Sequence, residues 1–457
     1  MNKRALIVPA SIRSHVIPSL FLADLLSENG YEVHYAVTTE ILKEIVEKNA
    51  YKAYIISSFK VAIGAEGRVI TEIKKDKVSF LRLVKAYRTN EVYEYRKGEY
   101  NKLIELIKPS VIILDIFNST DFISLYHKHH EIKICLFNPM PSTYRVGDYP
   151  IVSEGFLIKS NRKNENQELN KFSIKGFLKY PKSTILAYLA QNQVKKLIMN
   201  NEIPEKYKIV PNSFTMSFDN VPELLLAPLE FEFAPEVRKS YQYYLGLCHR
   251  EKRKDTELDE NFEKGWQKII KEKQGSDEIS PKKIIYCSFG TYYEGPDRKL
   301  LDFLNTIIDA VSSIPNSFLI ISVNRFVIEF IESNRKDIPN VIFFSRVPQL
   351  QVLQICDLFI THGGFGSIKE SIHYEVPMLV YPLDMHYDQN GNAFKVEYFG
   401  IGLRGVFGFE RLNELKIKIN QLLDDEAFKN KIKTFKEINV KNYSPEILKQ
   451  TLNEIGL

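Results

Sequence analysis

Apolar and polar positions change period regularly along the chain. In the first fifty residues "RALIVPA" is β-rich, "HVIPSLFLADLLSENG" carries apolar residues at helical spacing and ends on Gly30, and "YEVHYAVT" alternates again. That succession predicts a βαβ opening. "PSVIILDIF" (109–117) and "IKICLFNPM" (132–140) are continuous apolar runs flanked by breakers, as strands buried on both faces should be. A parallel sheet covered by helices is therefore expected to about residue 145, and "NVPELLLAPLEFEFAP" (220–235) resumes an apolar strand. A charged stretch at 250–283 surrounds the single tryptophan, Trp266, and reads as a linker region. Beyond it "KKIIYCSFGT", "NSFLIISV", "NVIFFS", "DLFIT" and "PMLVYPL" are short β-rich runs separated by helix-length segments, the alternation of a second doubly wound α/β domain.

The length of 457 residues agrees with two domains, because single cores stop growing beyond about 250–300 residues. With 44% hydrophobic and 26% charged residues the chain reads as soluble and globular. A net charge of +5 is a mild imbalance that gives no reason to expect nucleic acid. Cys135, Cys248, Cys287 and Cys356 are widely spaced, each in or beside an apolar run, which suits small buried side chains rather than a disulfide or zinc framework. The N-terminus has too short an apolar run for a secretory leader, and no run reaches membrane-spanning length, so a cytoplasmic protein is expected. From Lys159 to Lys196 there are nine Lys or Arg against two Glu. This segment is expected to be a solvated helical face, or else an acceptor-binding region in peripheral contact with a membrane.

The chemistry concentrates between Thr361 and Gln389, "THGGFGSIKESIHYEVPMLVYPLDMHYDQ". Strand, glycine-rich turn and helix follow one another there, so Gly363, Gly364 and Gly366 allow close backbone approach and the helix offers unpaired N–H groups to an anion. His362 and Ser367 can donate to phosphate, Glu370 suits vicinal hydroxyls such as those of a ribose, and Asp388 with Gln389 can hold sugar hydroxyls. In open α/β sheets such crevices lie at the carboxyl ends of strands. The groups together suit ribose, diphosphate and a hexose.

The segment from Val347 to Arg404 resembles the donor-binding signature of family 1 glycosyltransferases, the UDP-glycosyltransferase superfamily, which adopt the GT-B fold. "VPQ" (Val347, Pro348, Gln349), "HGGFGS", Glu370, "VPM" (376–378) and "DQNGNA" (388–393) follow that family's order. The resemblance implies that Gln349 lies near the uridine end, Glu370 on ribose hydroxyls, and His362, Gly364 and Ser367 on the diphosphate. It likewise places Asp388 and Gln389 on the transferred sugar and Thr291, in "SFGT", near the phosphates. In the other half, "VPASIRSHVIPSLFLADLL" puts His15 where the family carries its general base, and "VIILDIF" puts Asp115 where it carries the aspartate bonded to that base. Three positions depart from the pattern: Arg346 stands where many relatives stack an aromatic on uracil, Gly366 where plant members have asparagine, and Ser14 where many have glycine. Two extra residues also stand between Pro382 and Asp388.

The resemblance thus implies an acceptor-binding Rossmann-like domain over 1–240, a nucleotide-sugar domain over 241–435, and a C-terminal helix over 436–457 crossing back to the first domain. The expected activity is inverting transfer of a hexose, first of all glucose, from a UDP-sugar or dTDP-sugar to a hydroxyl of a small lipophilic acceptor. No metal or other cofactor is expected, since no acidic pair or histidine cluster has metal-ligand spacing. The protein is expected to be a monomer or homodimer. The alternatives are a non-catalytic helper of a partner transferase and a nucleotide-sugar epimerase. A nicotinamide enzyme is disfavoured, because neither βα turn carries the full G-x-G-x-x-G with an acidic residue after it.

Overall fold

The computed structural model describes residues 3–61, 79–147, 149–155, 178–211, 216–275, 281–290, 298–335, 340–384 and 387–457. Thr291 and residues 159–177 of the basic segment lie outside them. The strands are β1 (Lys3–Val8), β2 (Tyr31–Val37), β3 (Lys52–Ile55), β4 (Val111–Asp115), β5 (Lys133–Asn138), β6 (Ile209–Pro211), β7 (Met216–Phe218), β8 (Glu223–Leu225) and β9 (Gln242–Tyr244). They continue as β10 (Lys283–Ser288), β11 (Ser317–Ser322), β12 (Val341–Phe344), β13 (Leu358–Thr361), β14 (Met378–Val380) and β15 (Gly402–Arg404).

Two sheets result, in the orders β3-β2-β1-β4-β5-β8-β9 and β12-β11-β10-β13-β14-β15, with β6 and β7 as a separate pair. Both large sheets are parallel throughout, so the expected pair of doubly wound domains is present. Because side chains alternate across a strand, β1 sends Leu6 and Val8 into one core and Ala5 and Ile7 into another. In the same way β10 divides Ile284 and Tyr286 from Ile285 and Cys287. Each sheet therefore has a packed core on both faces, which is why its strands read as unbroken apolar runs.

Two stretches differ from their sequence reading. The run at 220–235 gives only the three residues of β8 and then short 3-10 turns at Leu229–Phe231 and Pro235–Val237, since Pro228 and Pro235 cannot continue a ladder. Its apolar character has another cause: Phe231 is buried against Phe365 and Phe399 of the second domain. The charged stretch at 250–283 contains a helix, Phe262–Gln274, that buries Phe262, Gly265 and Ile269 along one face.

The last helix, Pro445–Ile455, is capped by Ser444, whose side chain accepts from the Ile447 amide. Its Leu448, Leu452 and Ile455 join the hydrophobic cluster that holds β1 and the helix Arg13–Glu28. The lobes also meet where Asn390 Nδ2 donates to Ser153 O at 3.2 Å. A Cβ on Gly391 would stand 1.9 Å from Val152 O, so only glycine fits against that backbone.

Candidate functional site

His15 lies in the first turn of the helix Arg13–Glu28, directly after β1, and Asp115 ends β4, the neighbouring strand. Adjacent parallel strands thereby bring their carboxyl ends together, and His15 Nδ1 stands 2.8 Å from Asp115 Oδ2. Both side chains are buried. Asp115 Oδ2 also accepts from Ala10 N at 3.0 Å, and Oδ1 accepts from Phe117 N at 2.8 Å. Three donors thus converge on one carboxylate, which assigns the His15 proton to Nδ1 and leaves Nε2 as an acceptor. Phe117 packs on the imidazole with ring centroids 4.6 Å apart, and Lys60 Nζ lies 5.5 Å from the centroid of the same phenyl ring. Burial pushes the Lys60 ammonium pKa down, with Asp115 and Asp121 opposing the shift.

In the second lobe the turn after β13 is shaped around one imidazole. A Cβ on Gly290, whose φ is +67°, would stand 2.8 Å from His362 Cε1, and a Cβ on Gly364 would stand 2.7 Å from His362 Nε2. The ring therefore slots between two glycine backbones. Gly363, at φ +85°, would bring a Cβ to 2.7 Å from Val380 Cγ1. Gly366 differs from the expectation of tight approach, since a Cβ there meets nothing within 4 Å. His362 Nδ1 has no hydrogen-bond partner, and burial pushes the ring's pKa down to about 4, so it is neutral near pH 7.

Gly364 begins the helix Phe365–His373 without a side-chain cap, which leaves the helix-end N–H groups for other partners. Asp388 takes one of them, from Phe365, and its Oδ2 accepts from Asn392 Nδ2 at 2.8 Å. Burial raises the Asp388 pKa, while its hydrogen bonds and the nearness of the His15 ring lower it. His15 and Asp388 are therefore within electrostatic reach of one another. Gln389 Oε1 accepts from Leu383 N at 2.9 Å and Asp384 N at 3.1 Å. The expected mixed donor and acceptor thus acts locally as an acceptor, with Nε2 left to donate.

Gln349 Nε2 donates to Ser367 Oγ at 3.2 Å and to Glu370 Oε2 at 2.7 Å. Glu370 Oε1 pairs with Arg253 Nη1, and Arg253 Nε lies 2.8 Å from Asp255 Oδ1. Gln349, Ser367 and Glu370 are thus one bonded unit, with a carboxylate already oriented before any ribose arrives. Beside it a cavity of about 460 Å³ opens between the lobes, lined by Arg13, Ile17, Gly290, Arg346, Val347 and Gln349 among others. Arg346 Nη1 lies 3.6 Å from Glu257 Oε2, which also pairs with Arg13. Burial, and then the charge of Arg346, push the Arg13 pKa down to about 10.

The structure therefore groups Arg346, Val347 and Gln349 at the cavity, and joins Ser367 and Glu370 to Gln349. His362 and Gly364 lie against Gly290, the residue before Thr291, and Asp388, with Gln389 next to it, lies within electrostatic reach of His15. The sequence reading passed over Arg13, Arg253, Asp255 and Glu257. The last three sit in the stretch read as a linker, and a charged run carries no periodicity that would mark a cavity wall. Among the described residues no helix is long and apolar enough to cross a membrane.

Comparison with known proteins agrees with this geometry. Residues 323–455 match the family described as the C-terminal domain of erythromycin biosynthesis protein CIII-like proteins. The chain is 23% identical over 390 residues to the uncharacterised UDP-glucosyltransferase YdhE of Bacillus subtilis, covering 84% of this chain and 81% of that one. It is also 23% identical over 425 residues to the NDP-glycosyltransferase YjiC of the same species, covering 93% and 90%. Among solved structures, the glycotransferase of kitacinnamycin superposes with a TM-score of 0.67 at 17% identity, covering 99% of this chain and 100% of that one. The glycosyltransferase VinC, solved with dTDP, gives 0.63 at 16% identity, covering 99% and 100%.

Two parallel doubly wound lobes with a cavity between them, in a chain with these relatives, define a GT-B glycosyltransferase that uses a nucleotide-sugar donor. Within that class the chain is similar to family 1 glycosyltransferases of the bacterial natural-product type.

Proposed function

We propose that the enzyme transfers a hexose, glucose in the first instance, from a UDP-sugar to a hydroxyl of a small lipophilic acceptor, with inversion at the anomeric carbon. The observation that carries this reading is the His15 and Asp115 pair at 2.8 Å, within electrostatic reach of Asp388. His15 Nε2 takes the proton of the acceptor hydroxyl as that oxygen forms its bond to the anomeric carbon. The bond from that carbon to the diphosphate oxygen breaks on the opposite side, which inverts the configuration. Asp115 steadies the imidazolium so formed. The diphosphate leaves into the N–H groups of the helix Phe365–His373, with His362, Ser367 and Thr291 as further donors. Donors fixed where charge develops lower the barrier without rearranging during the reaction.

UDP is favoured by the names of the relatives that act on it, whereas a neighbour solved with dTDP keeps the thymidine donor as the second candidate. Arg346 lines the cavity and can stack its guanidinium on either pyrimidine. On this reading the enzyme works in the cytoplasm. The test is mass spectrometry of a panel of hydroxylated lipophilic acceptors incubated with UDP-glucose and dTDP-glucose. A mass increase of one hexose on an acceptor, with β-linkage from an α-linked donor, supports the reading. Sugar nucleotide altered without any acceptor product contradicts it.

A further inference from the structure

We propose that His249, Glu251 and His373 form a site for one divalent transition-metal ion of the zinc class, clipping the segment after β9 to the helix Phe365–His373. The chain spacing gave no hint of such a cluster, because the two histidines stand more than a hundred positions apart, one in the loop after β9 and one at a helix end, and meet only in the fold. One ligand atom from each of the three residues lies within 4.8 Å of the others. Zinc bound tetrahedrally to imidazole and carboxylate keeps its ligands roughly 2.0–2.2 Å from the ion, so side-chain rotation about the existing backbone positions must close the set. The two imidazoles are stacked in the ion-free structure, centroids 3.5 Å apart and planes 15° apart, so binding requires one ring to turn out of the stack until both in-plane lone pairs meet at the ion. Glu251 is exposed and free to swing in.

The helix end at His373 favours a cation, whereas Arg253 and Lys436 oppose one unless they are paired. His373 is the last residue of its helix, where unpaired carbonyls give the negative end of the dipole. Two nearby cations are already balanced: Lys436 Nζ lies 2.8 Å from Glu375 Oε1, and Arg253 is held by Glu370 and Asp255. Tyr374 Oη stands 3.5 Å from His249 Nε2, so a slight ring rotation lets it hold one nitrogen while the other faces the ion. Two imidazoles and one carboxylate suit zinc, with water completing the tetrahedron. The ion would be structural: it would pin the chain two residues before Arg253, which orients Glu370 at the donor cavity.

The test uses the full chain without a polyhistidine tag, stripped by chelator. Zinc is titrated calorimetrically and cobalt by visible absorption, with thermal melting alongside. The expected result is one equivalent bound, a tetrahedral cobalt spectrum without thiolate charge-transfer bands, and a rise in melting temperature with zinc. His249→Ala and His373→Ala should each weaken binding at least tenfold while melting like the metal-free wild type, and Glu251→Gln should weaken it less. No saturable cobalt spectrum, undiminished binding in the His249→Ala/His373→Ala double variant, or a cobalt–thiolate band from the cysteines would overturn the proposal.

Discussion

His15 Nδ1 lies 2.8 Å from Asp115 Oδ2, although the two residues are 100 positions apart in the chain. Both oxygens of Asp115 are occupied by donors, from His15, Ala10 and Phe117. Asp115→Asn must therefore turn its amide nitrogen toward one of those donors. A buried donor left unpaired costs about 1–3 kcal/mol, and a misdirected imidazole loses the general-base contribution of about 10²–10⁴ in rate. We expect a lower melting temperature together with a kcat reduced by about that factor, read from thermal melting and initial rates. Wild-type kcat in the folded variant would remove Asp115 from the mechanism.

The imidazole of His362 is neutral near pH 7 because burial lowers its pKa to about 4. A diphosphate brought against the ring favours the protonated form, so the pKa rises on binding. Between about 4 and the ordinary value of 6.5, UDP binding should take up a fraction of a proton, and affinity should increase as pH falls. Calorimetry in buffers of different ionisation enthalpy measures that uptake. His362→Gln should abolish it, and equal uptake in the variant would place the titrating group elsewhere.

How much of this was legible in the sequence follows from what each signal encodes. Strands buried on both faces advertise themselves, so β1, β4, β5, β10 and β13 stood out, whereas the three-residue β9 and β15 give too short a pattern to read. The glycines at 363 and 364 and their histidine form one local unit, and a local unit is visible in a motif. Arg253 acts through its contact to Glu370, more than a hundred residues away, and Asp255 through Arg253, and nothing in a charged run reveals such a partner. The same holds for the Gln349 bond to Glu370, which needs the turn after β12 to meet the helix after β13.

Gly391 packs its Cα against the Val152 carbonyl of the other lobe. Alanine inside a helix ordinarily gains about 0.5–1 kcal/mol over glycine, but here its methyl would sit 1.9 Å from a backbone oxygen that cannot rotate away. The clash dominates. Gly391→Ala should lower the melting temperature and reduce kcat more than it weakens UDP binding, because the lobes part. A variant as stable and active as wild type would show that the lobes move freely at this contact.

Glu223 is buried, accepting from Gln242 Nε2 at 3.0 Å and Asn138 Nδ2 at 3.1 Å, and burial raises its pKa from 4.5 to about 7. A raised carboxylate pKa means that its contribution to stability is complete below 4.5 and lost as pH climbs through 7. The full difference is about 3 kcal/mol. Glu223→Gln cannot titrate, so relative to wild type it should gain that amount between those limits, read from urea midpoints across pH. Parallel profiles for the two proteins would contradict the assignment.

The central claim is that His15 serves the chemical step and not the holding of the donor. His15→Ala tests it, by measuring transfer with an accepted substrate and UDP affinity on the same preparation. The account predicts that transfer falls by at least about 10² while the UDP dissociation constant stays within a few-fold of wild type. Retained transfer, or a collapse of UDP binding in a folded variant, would contradict it.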